Sequence, residues 1–188
     1  MTMPSTSTLP TPYELGNQNQ TTTWAQCIAF YEALTAQFPG ILRFWQIGST
    51  NSGRPLHAGI VTADGVLDRA TLHAGARPVF FNNNGIHPGE PEGVDVCMAL
   101  VRDFCLQPEL RAALGNTVFL FIPLYSVDGA CNRNNTSRVN QVGPELFGFR
   151  GNARNLDLNR DFIKADSLEA QAFSRFFAEW DPDVMVDT

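Results

Sequence analysis

Hydrophobic positions follow two spacings that alternate along the chain, and together they predict its secondary structure. Apolar residues at helical spacing predict helices around residues 24–38, 94–104 and 173–180. Short, mostly apolar runs predict strands at residues 41–47, 56–61, 79–81, 117–122 and 183–187. Polar residues dominate 123–160, where no helical period is present. A polar stretch of that length inside a compact domain is usually functional.

The order of these elements predicts the fold. Strands that alternate with helices indicate an α/β fold, with a mixed, largely parallel sheet flanked by helices. In such sheets ligands bind beyond the carboxyl ends of the strands. The loop that follows residues 79–81 and the polar stretch 123–160 should both lie there. We divide the chain into a flexible amino-terminal lead, residues 1–22, and one domain, residues 23–188.

Composition narrows the class of protein. The 188 residues are 44% hydrophobic and 17% charged, which is typical of a globular domain. A net charge of −6 argues against nucleic acid or an anionic membrane as the main partner. No apolar run is long enough to cross a membrane, and the first 20 residues lack the apolar core of a signal peptide. We expect a cytoplasmic location, although removal of an export signal stays open.

The four cysteines, Cys27, Cys97, Cys105 and Cys131, show no CxxC spacing and lie mostly in apolar segments. We expect buried free thiols rather than disulfides or a redox site.

The first candidate for chemistry is His87 with Glu90, in the segment Asn84–Gly93. An imidazole and a carboxylate three residues apart, framed by glycines and prolines, can converge on one divalent cation. Two residues of a loop can equally form an ordinary hydrogen-bonded pair. Glu92 is a competing carboxylate, but it lies where a helix begins and acidic residues favour the helix dipole.

The second candidate is the segment 150–162, RGNARNLDLNRDF. Arg160 can hold a carboxylate through two parallel hydrogen bonds, and Asn159 can donate to the same anion. Arg150 can direct a second cation at a carbonyl oxygen. These arginines can instead form solvated ion pairs with Asp157 or Asp161, which contribute little.

Taken together, these motifs resemble the zinc metallocarboxypeptidase family of the carboxypeptidase A/B type, across roughly residues 24–188. The resemblance rests on the order and intervals of five short features. They are the turn Gly48-Ser49 leading to Gly53-Arg54, the His87–Glu90 loop, Val127-Asp128-Gly129, Arg150 with Asn152, and Asp157 to Phe162. Ser126-Val127 stands where many relatives carry Asn-Pro, which we expect to alter a turn rather than the chemistry.

The resemblance implies a role for each matching residue. His87 and Glu90 would be the first two ligands of Zn²⁺. Asn159 and Arg160 would bind the terminal carboxylate of a peptide substrate. Arg150 would polarise the scissile carbonyl, with Arg138 as the weaker candidate for that role. The implied reaction is hydrolysis of the C-terminal peptide bond.

The same resemblance implies that part of the active site lies outside this sequence. The family's third zinc ligand, a histidine, should follow the last strand directly, and its active-site tyrosine and glutamate general base come later still. We therefore expect a C-terminally truncated domain. A structural zinc site contributes about 10–16 kcal/mol, so one missing ligand costs roughly 3 kcal/mol, or about a hundredfold in affinity. The chain alone should bind zinc weakly and be inactive.

Two alternatives remain open at this point. A related zinc amidohydrolase, acting on a small N-acyl amino acid, would share the His-x-x-Glu loop. A non-catalytic module that binds peptide C-termini would use the arginines without hydrolysis.

Overall fold

A computed structural model describes residues 9–188 of the chain. Its centre is a five-stranded sheet with the strand order β1-β2-β4-β3-β5. The strands are β1 (Leu42–Ser49), β2 (Pro55–Val61), β3 (Val79–Asn83), β4 (Val118–Ile122) and β5 (Val184–Asp187). β2 runs antiparallel to both β1 and β4, whereas β3 runs parallel to both β4 and β5. The predicted α/β class with a mixed sheet is confirmed, and the parallel pairings are confined to one half of the sheet.

Helices cover both faces of this sheet. They are α1 (Pro12–Leu15), α2 (Trp24–Gln37), α3 (Arg69–Ala74), α4 (Glu92–Leu106), α5 (Pro108–Ala112), α6 (Val127–Cys131) and α7 (Leu168–Trp180). The three predicted helices correspond to α2, α4 and α7. The four short helices escaped prediction, because runs of four to six residues do not establish a period.

The core consists of two apolar layers, one on each face of the sheet. Along β4, Leu120 and Ile122 join the layer beneath α7, whereas Phe119 and Phe121 join the layer beneath α2 and α4. Alternation on a strand buried on both faces explains why the run Val-Phe-Leu-Phe-Ile is continuously apolar.

The carboxyl ends of β3 and β4 are joined by main-chain hydrogen bonds. The amide of Asn84 donates to Ile122 O (3.1 Å), and the amide of Tyr125 donates to Asn84 O (2.8 Å). The amide of Gly85 donates to Thr188 O at the end of β5 (2.8 Å). Three parallel strands therefore end around the loop that carries His87.

Residues 9–22 of the predicted lead lie along the domain. The Thr21 hydroxyl donates to the buried carboxylate of Asp95, and the Thr22 amide donates to the same group (3.1 Å). Arg102 of α4 pairs with Glu14 (2.6 Å). Residues 1–8, for which flexibility was also predicted, lie outside the described residues.

The cysteine prediction is confirmed in part. All four cysteines are free, and Cys27, Cys97 and Cys105 are buried. The expectation of burial is wrong for Cys131, which is exposed because it ends the short helix α6. Among residues 9–188, no helix has the length and hydropathy of a membrane span.

A buried carboxylate fixes the β1–β2 turn to α6. Asp128 accepts hydrogen bonds from the Thr50 hydroxyl (2.8 Å), the Ser52 amide (3.2 Å) and the Arg54 guanidinium (3.1 Å). Burial raises the pKa of Asp128, but the hydrogen bonds from Ser52, Thr50 and Arg54 lower it by more than burial raises it. The pKa of Asp128 therefore lies below the ordinary value of 3.8.

Because of this lowered pKa, we expect the free energy of unfolding to depend on pH in the acidic range. Below the ordinary carboxyl pKa the unfolded chain binds more protons at Asp128 than the native protein does. The contribution of Asp128 is therefore complete above that range and is lost as the pH falls through its native pKa. Asp128→Asn should reduce the free energy of unfolding at neutral pH by about 1–3 kcal/mol. Urea unfolding between pH 2.5 and pH 7 should show a difference between the two proteins that shrinks with acid, and a constant difference would contradict the assignment.

Candidate metal centre

His87 lies in a tight loop between β3 and α4, and its surroundings fix its side chain. The Glu90 amide donates to His87 O (2.8 Å), which closes a turn, and the Gly148 amide donates to Pro88 O (3.0 Å). His87 is only 5% exposed. A buried imidazole held by its own loop has few rotamers, so its two nitrogens point in defined directions.

A carboxylate seventy residues away binds one of these nitrogens. His87 Nε2 lies 3.0 Å from Asp157 Oδ1. Because an ionised carboxylate only accepts hydrogen bonds, this contact places the proton on Nε2 and leaves the lone pair on Nδ1. The same arrangement orients metal-binding histidines and raises their basicity.

Nδ1 faces the carboxylate of Glu90. The distance from His87 Nδ1 to Glu90 Oε2 is 3.5 Å. Two zinc ligands with bond lengths near 2.1 Å at a tetrahedral angle are about 3.4 Å apart. The separation therefore fits joint coordination of one Zn²⁺ by these two atoms. The Glu90 side chain is 44% exposed, so the point between them opens to solvent.

Both carboxylates stay ionised near neutral pH. Burial raises the pKa of Glu90, but the hydrogen bond and the charge of Arg138 lower it, and the net direction is downward. Burial likewise raises the pKa of Asp157, while His87 and Arg150 lower it below its ordinary value. Negative charge on both sides of the imidazole favours a bound cation.

Arg138 reaches this loop from the segment 132–149. Its Nη2 donates to Glu90 Oε1, on the side of the carboxylate away from His87. The guanidinium lies directly over Gly89, where an added Cβ would be 2.6 Å from Arg138 Nε. Glycine is required at position 89 for this close approach.

Arg150 contacts the carboxylate that binds the imidazole. Its Nε donates to Asp157 Oδ2 (2.9 Å), and the other oxygen of that carboxylate contacts His87 Nε2, so Arg150 is linked to the ring nitrogen that does not face Glu90. The contacts therefore bring Arg138 to the Glu90 side of the site and Arg150 behind Asp157. Of the two predicted arginines, Arg138 is the one beside the candidate ligands.

Asn159 and Arg160 lie on a short 3-10 turn (Leu158–Arg160) that begins directly after Asp157. The Asn159 amide donates to Asp157 Oδ1 (3.0 Å), the oxygen that also contacts His87. Arg160 Nη1 donates to Asn159 O (2.9 Å), and within residues 9–188 the Arg160 guanidinium forms no ion pair. Two hydrogen bonds to one oxygen thus link the predicted carboxylate-binding pair to the predicted metal ligand.

The sequence analysis gave Asp157 no role beyond a possible ion pair with the arginines. It did not predict the contact between Asp157 and His87. The position of Asp157 two residues before Asn159-Arg160 was the available signal, but no local pattern connects it to a histidine far away. Over residues 9–188 there is no group of three His, Cys, Asp or Glu side chains arranged to hold a metal.

Comparisons with known proteins identify related sequences and related folds. A sequence model described as zinc carboxypeptidase matches residues 27–180. Human carboxypeptidase D is 23% identical over 137 residues, which are 71% of this chain and 9% of that protein. The metallo-carboxypeptidase of Burkholderia cenocepacia superposes with a TM-score of 0.67 at 18% identity, over 89% of this chain and 40% of that chain. Bovine thrombin-activatable fibrinolysis inhibitor, solved in complex with tick carboxypeptidase inhibitor, superposes with a TM-score of 0.64 at 15% identity, over 91% of this chain and 61% of that chain.

The chain thus spans less than two thirds of the length of these relatives, and the solved structures share its fold. Because the family match covers most of the sequence and includes the His87–Glu90 loop, this chain belongs to the zinc carboxypeptidase family.

Proposed function

We propose that this chain supplies part of the active site of a zinc-dependent metallocarboxypeptidase, which hydrolyses the C-terminal peptide bond of peptides. The observation that carries the proposal is the 3.5 Å separation of His87 Nδ1 and Glu90 Oε2, with His87 Nε2 held by Asp157. That arrangement would give zinc two ligands of fixed direction, close to the turn that carries Asn159 and Arg160. The finding that a related structure is a complex with a carboxypeptidase inhibitor supports a peptide-like partner.

In the proposed mechanism, His87 and Glu90 hold the metal and Asp157 keeps the imidazole in the binding tautomer. Bound zinc would polarise the scissile carbonyl and activate a water molecule. The protein's own groups orient the substrate. Arg160 and the side-chain amide of Asn159 bind the terminal carboxylate, which restricts cleavage to the end of a chain because only that end carries the anion.

Arg138 is our preferred group for the scissile carbonyl. Its guanidinium lies beside Glu90, at the metal side of the loop, where negative charge would develop on the substrate oxygen. Arg150, to which the sequence motif pointed first, is paired with Asp157 and would support the imidazole from behind. Exchanging these two roles leaves the proposed reaction unchanged.

Removal of the carboxylate behind the imidazole should weaken zinc binding. Asp157→Asn keeps the shape of the side chain but loses the charge that orients His87. Partners of this kind usually contribute 10- to 100-fold in metal affinity, and we expect a loss in that range. Competition titration with a weak zinc indicator measures it. Asp166→Asn, at an exposed carboxylate paired with Lys164, is the matched control and should leave the affinity unchanged. Equal affinities in all three proteins would remove Asp157 from the site.

The carboxylate-binding role of Arg160 predicts selectivity for a free chain end. In the presence of zinc, N-acetyl-alanyl-phenylalanine and N-acetyl-alanyl-lysine should bind more tightly than their C-terminal amides. Arg160→Gln should weaken binding of the free acids by about 10- to 100-fold, since a hydrogen bond to a charged group contributes about 1.5–3 kcal/mol. Arg175→Gln, on the exposed side of α7, is the control. Calorimetry checks both variants.

Equal binding of acids and amides would contradict the carboxypeptidase proposal. Preference for a small N-acyl amino acid over both dipeptides would instead support the amidohydrolase alternative.

We expect residues 1–188 alone to release no C-terminal amino acid from these dipeptides. Within residues 9–188 no group of three side chains is arranged to hold a metal. Two ligands alone should hold zinc weakly. Mass spectrometry after prolonged incubation with excess zinc provides the measurement. Turnover that His87→Ala abolishes would overturn this expectation, whereas turnover that survives His87→Ala indicates a contaminating peptidase.

A further inference from the structure

Arg133 makes an unusual set of contacts for an arginine. Its guanidinium donates to three main-chain carbonyls: Thr22 O (3.1 Å), Thr21 O (3.3 Å) and Leu146 O (2.6 Å). Within residues 9–188 it forms no ion pair. A planar group with five donors can join three separate backbone positions, which a lysine ammonium cannot match in reach or direction. Arg133 therefore connects the amino-terminal segment to the far end of the segment 132–149.

The segment 132–149 is a closed loop with Arg133 at its base. Next to Arg133, Asn134 and Phe147 exchange main-chain hydrogen bonds of 2.9 and 3.0 Å, which bring the two ends of the loop together. The Asn134 side chain then accepts from the amides of Thr136 (3.0 Å) and Ser137 (2.7 Å). These bonds define a turn, and Arg138 follows it directly. The direction in which Arg138 leaves the turn is set by the base.

Few contacts hold Arg138 itself. Its guanidinium donates to Glu90, and Nη1 lies 3.4 Å from Gln141 Oε1, at the limit of a hydrogen bond. Gln141 in turn donates to Gly89 O (3.0 Å). A long side chain with one strong partner loses considerable rotamer entropy when it is held in place, so its position depends on a rigid backbone.

Residues 19–22 also contact the end of the segment 132–149 near Phe147. The Glu145 amide donates to Asn19 O (2.7 Å), and the Gln20 side chain donates to Glu145 (2.9 Å). Thr21 and Thr22 are in turn attached to the buried Asp95 in the first turn of α4, the helix that follows the Glu90 loop. One connected network thus joins α4, residues 19–22 and both ends of the loop.

We propose that Arg133 is a positioning residue for the reaction, which holds Arg138 against the metal site by locking the loop base to the amino-terminal segment. The effect of Arg133 on catalysis rests on the proposed function. Its effect on the position of Arg138 does not. We also assign residues 19–22 to the support of the active site rather than to a lead.

The test separates this role from ordinary structural support. Arg133→Ala and Arg133→Lys are compared with the control Arg111→Ala. Arg111 also donates to main-chain carbonyls, Phe104 O (2.9 Å) and Cys105 O (3.3 Å), but these lie at the opposite end of α4. The first measurement is the NMR signal of the Arg138 guanidinium, assigned through its disappearance in Arg138→Gln. The second is hydrogen exchange at the amides of residues 134–146.

We expect the Arg138 signal to move to the position of a free arginine in Arg133→Ala, and loop exchange to rise at least tenfold. Arg133→Lys should give intermediate values, and it replaces the alanine variant if that variant does not fold. Arg111→Ala should change neither measurement, whatever its stability. An unchanged Arg138 signal in folded Arg133 variants, or an equal change in Arg111→Ala, would overturn the proposal.

The functional consequence is measured with zinc and the two N-acetyl dipeptides. Arg133→Ala and Arg138→Gln should each weaken binding, and the double variant should be no weaker than Arg138→Gln alone, because both act through one guanidinium. Additive losses would overturn the coupling. If the unaltered protein binds neither dipeptide, the proposed function fails, while the NMR and exchange results still decide whether Arg133 positions Arg138.

Discussion

The contact between His87 Nε2 and Asp157 is the interaction on which the site depends. It connects the loop after β3 to the turn after a long irregular segment, and it determines which imidazole nitrogen is free. Asp157 also accepts from Arg150 and from the Asn159 amide, so one carboxylate orients three neighbours. Loss of this group would leave Nδ1 without a fixed direction and would separate the candidate metal ligands from the guanidinium proposed to bind substrate.

Between α6 and the 3-10 turn, in residues 132–157, polar side chains bonded to the backbone determine the shape of the chain in place of helices and strands. Asn152 is buried and accepts from the amides of Arg154 (2.9 Å) and Leu156 (3.0 Å). Asn134 does the same for the turn before Arg138. Such bonds satisfy amides that a helix or strand would otherwise pair, and they favour one turn over its alternatives. The asparagine-rich composition thus has a structural cause, and the rigid backbone that results holds Arg138, Arg150 and Arg160 in distinct positions.

Those arginines also show what a motif alone leaves undecided. Arg138 and Arg150 both occur on the same irregular segment, and both carry a charge suited to a carbonyl oxygen. Their neighbours differ: Arg138 approaches Glu90 across Gly89, whereas Arg150 pairs with Asp157 behind the ring. Twelve positions along an irregular backbone do not reveal on which side of an imidazole a guanidinium will lie.

The sequence alone determined the α/β class, the five strands and three long helices, and the pairing of His87 with Glu90, because each depends on residues that are neighbours along the chain. Periodic burial and a turn of three residues are local properties. Tertiary structure alone decided that β2 runs antiparallel to its neighbours, since an apolar run has the same pattern in either direction. It likewise decided that Asp157 meets His87 and that residues 19–22 brace the loop of Arg138. These contacts join positions at least 70 residues apart, and their formation depends on how the layers pack.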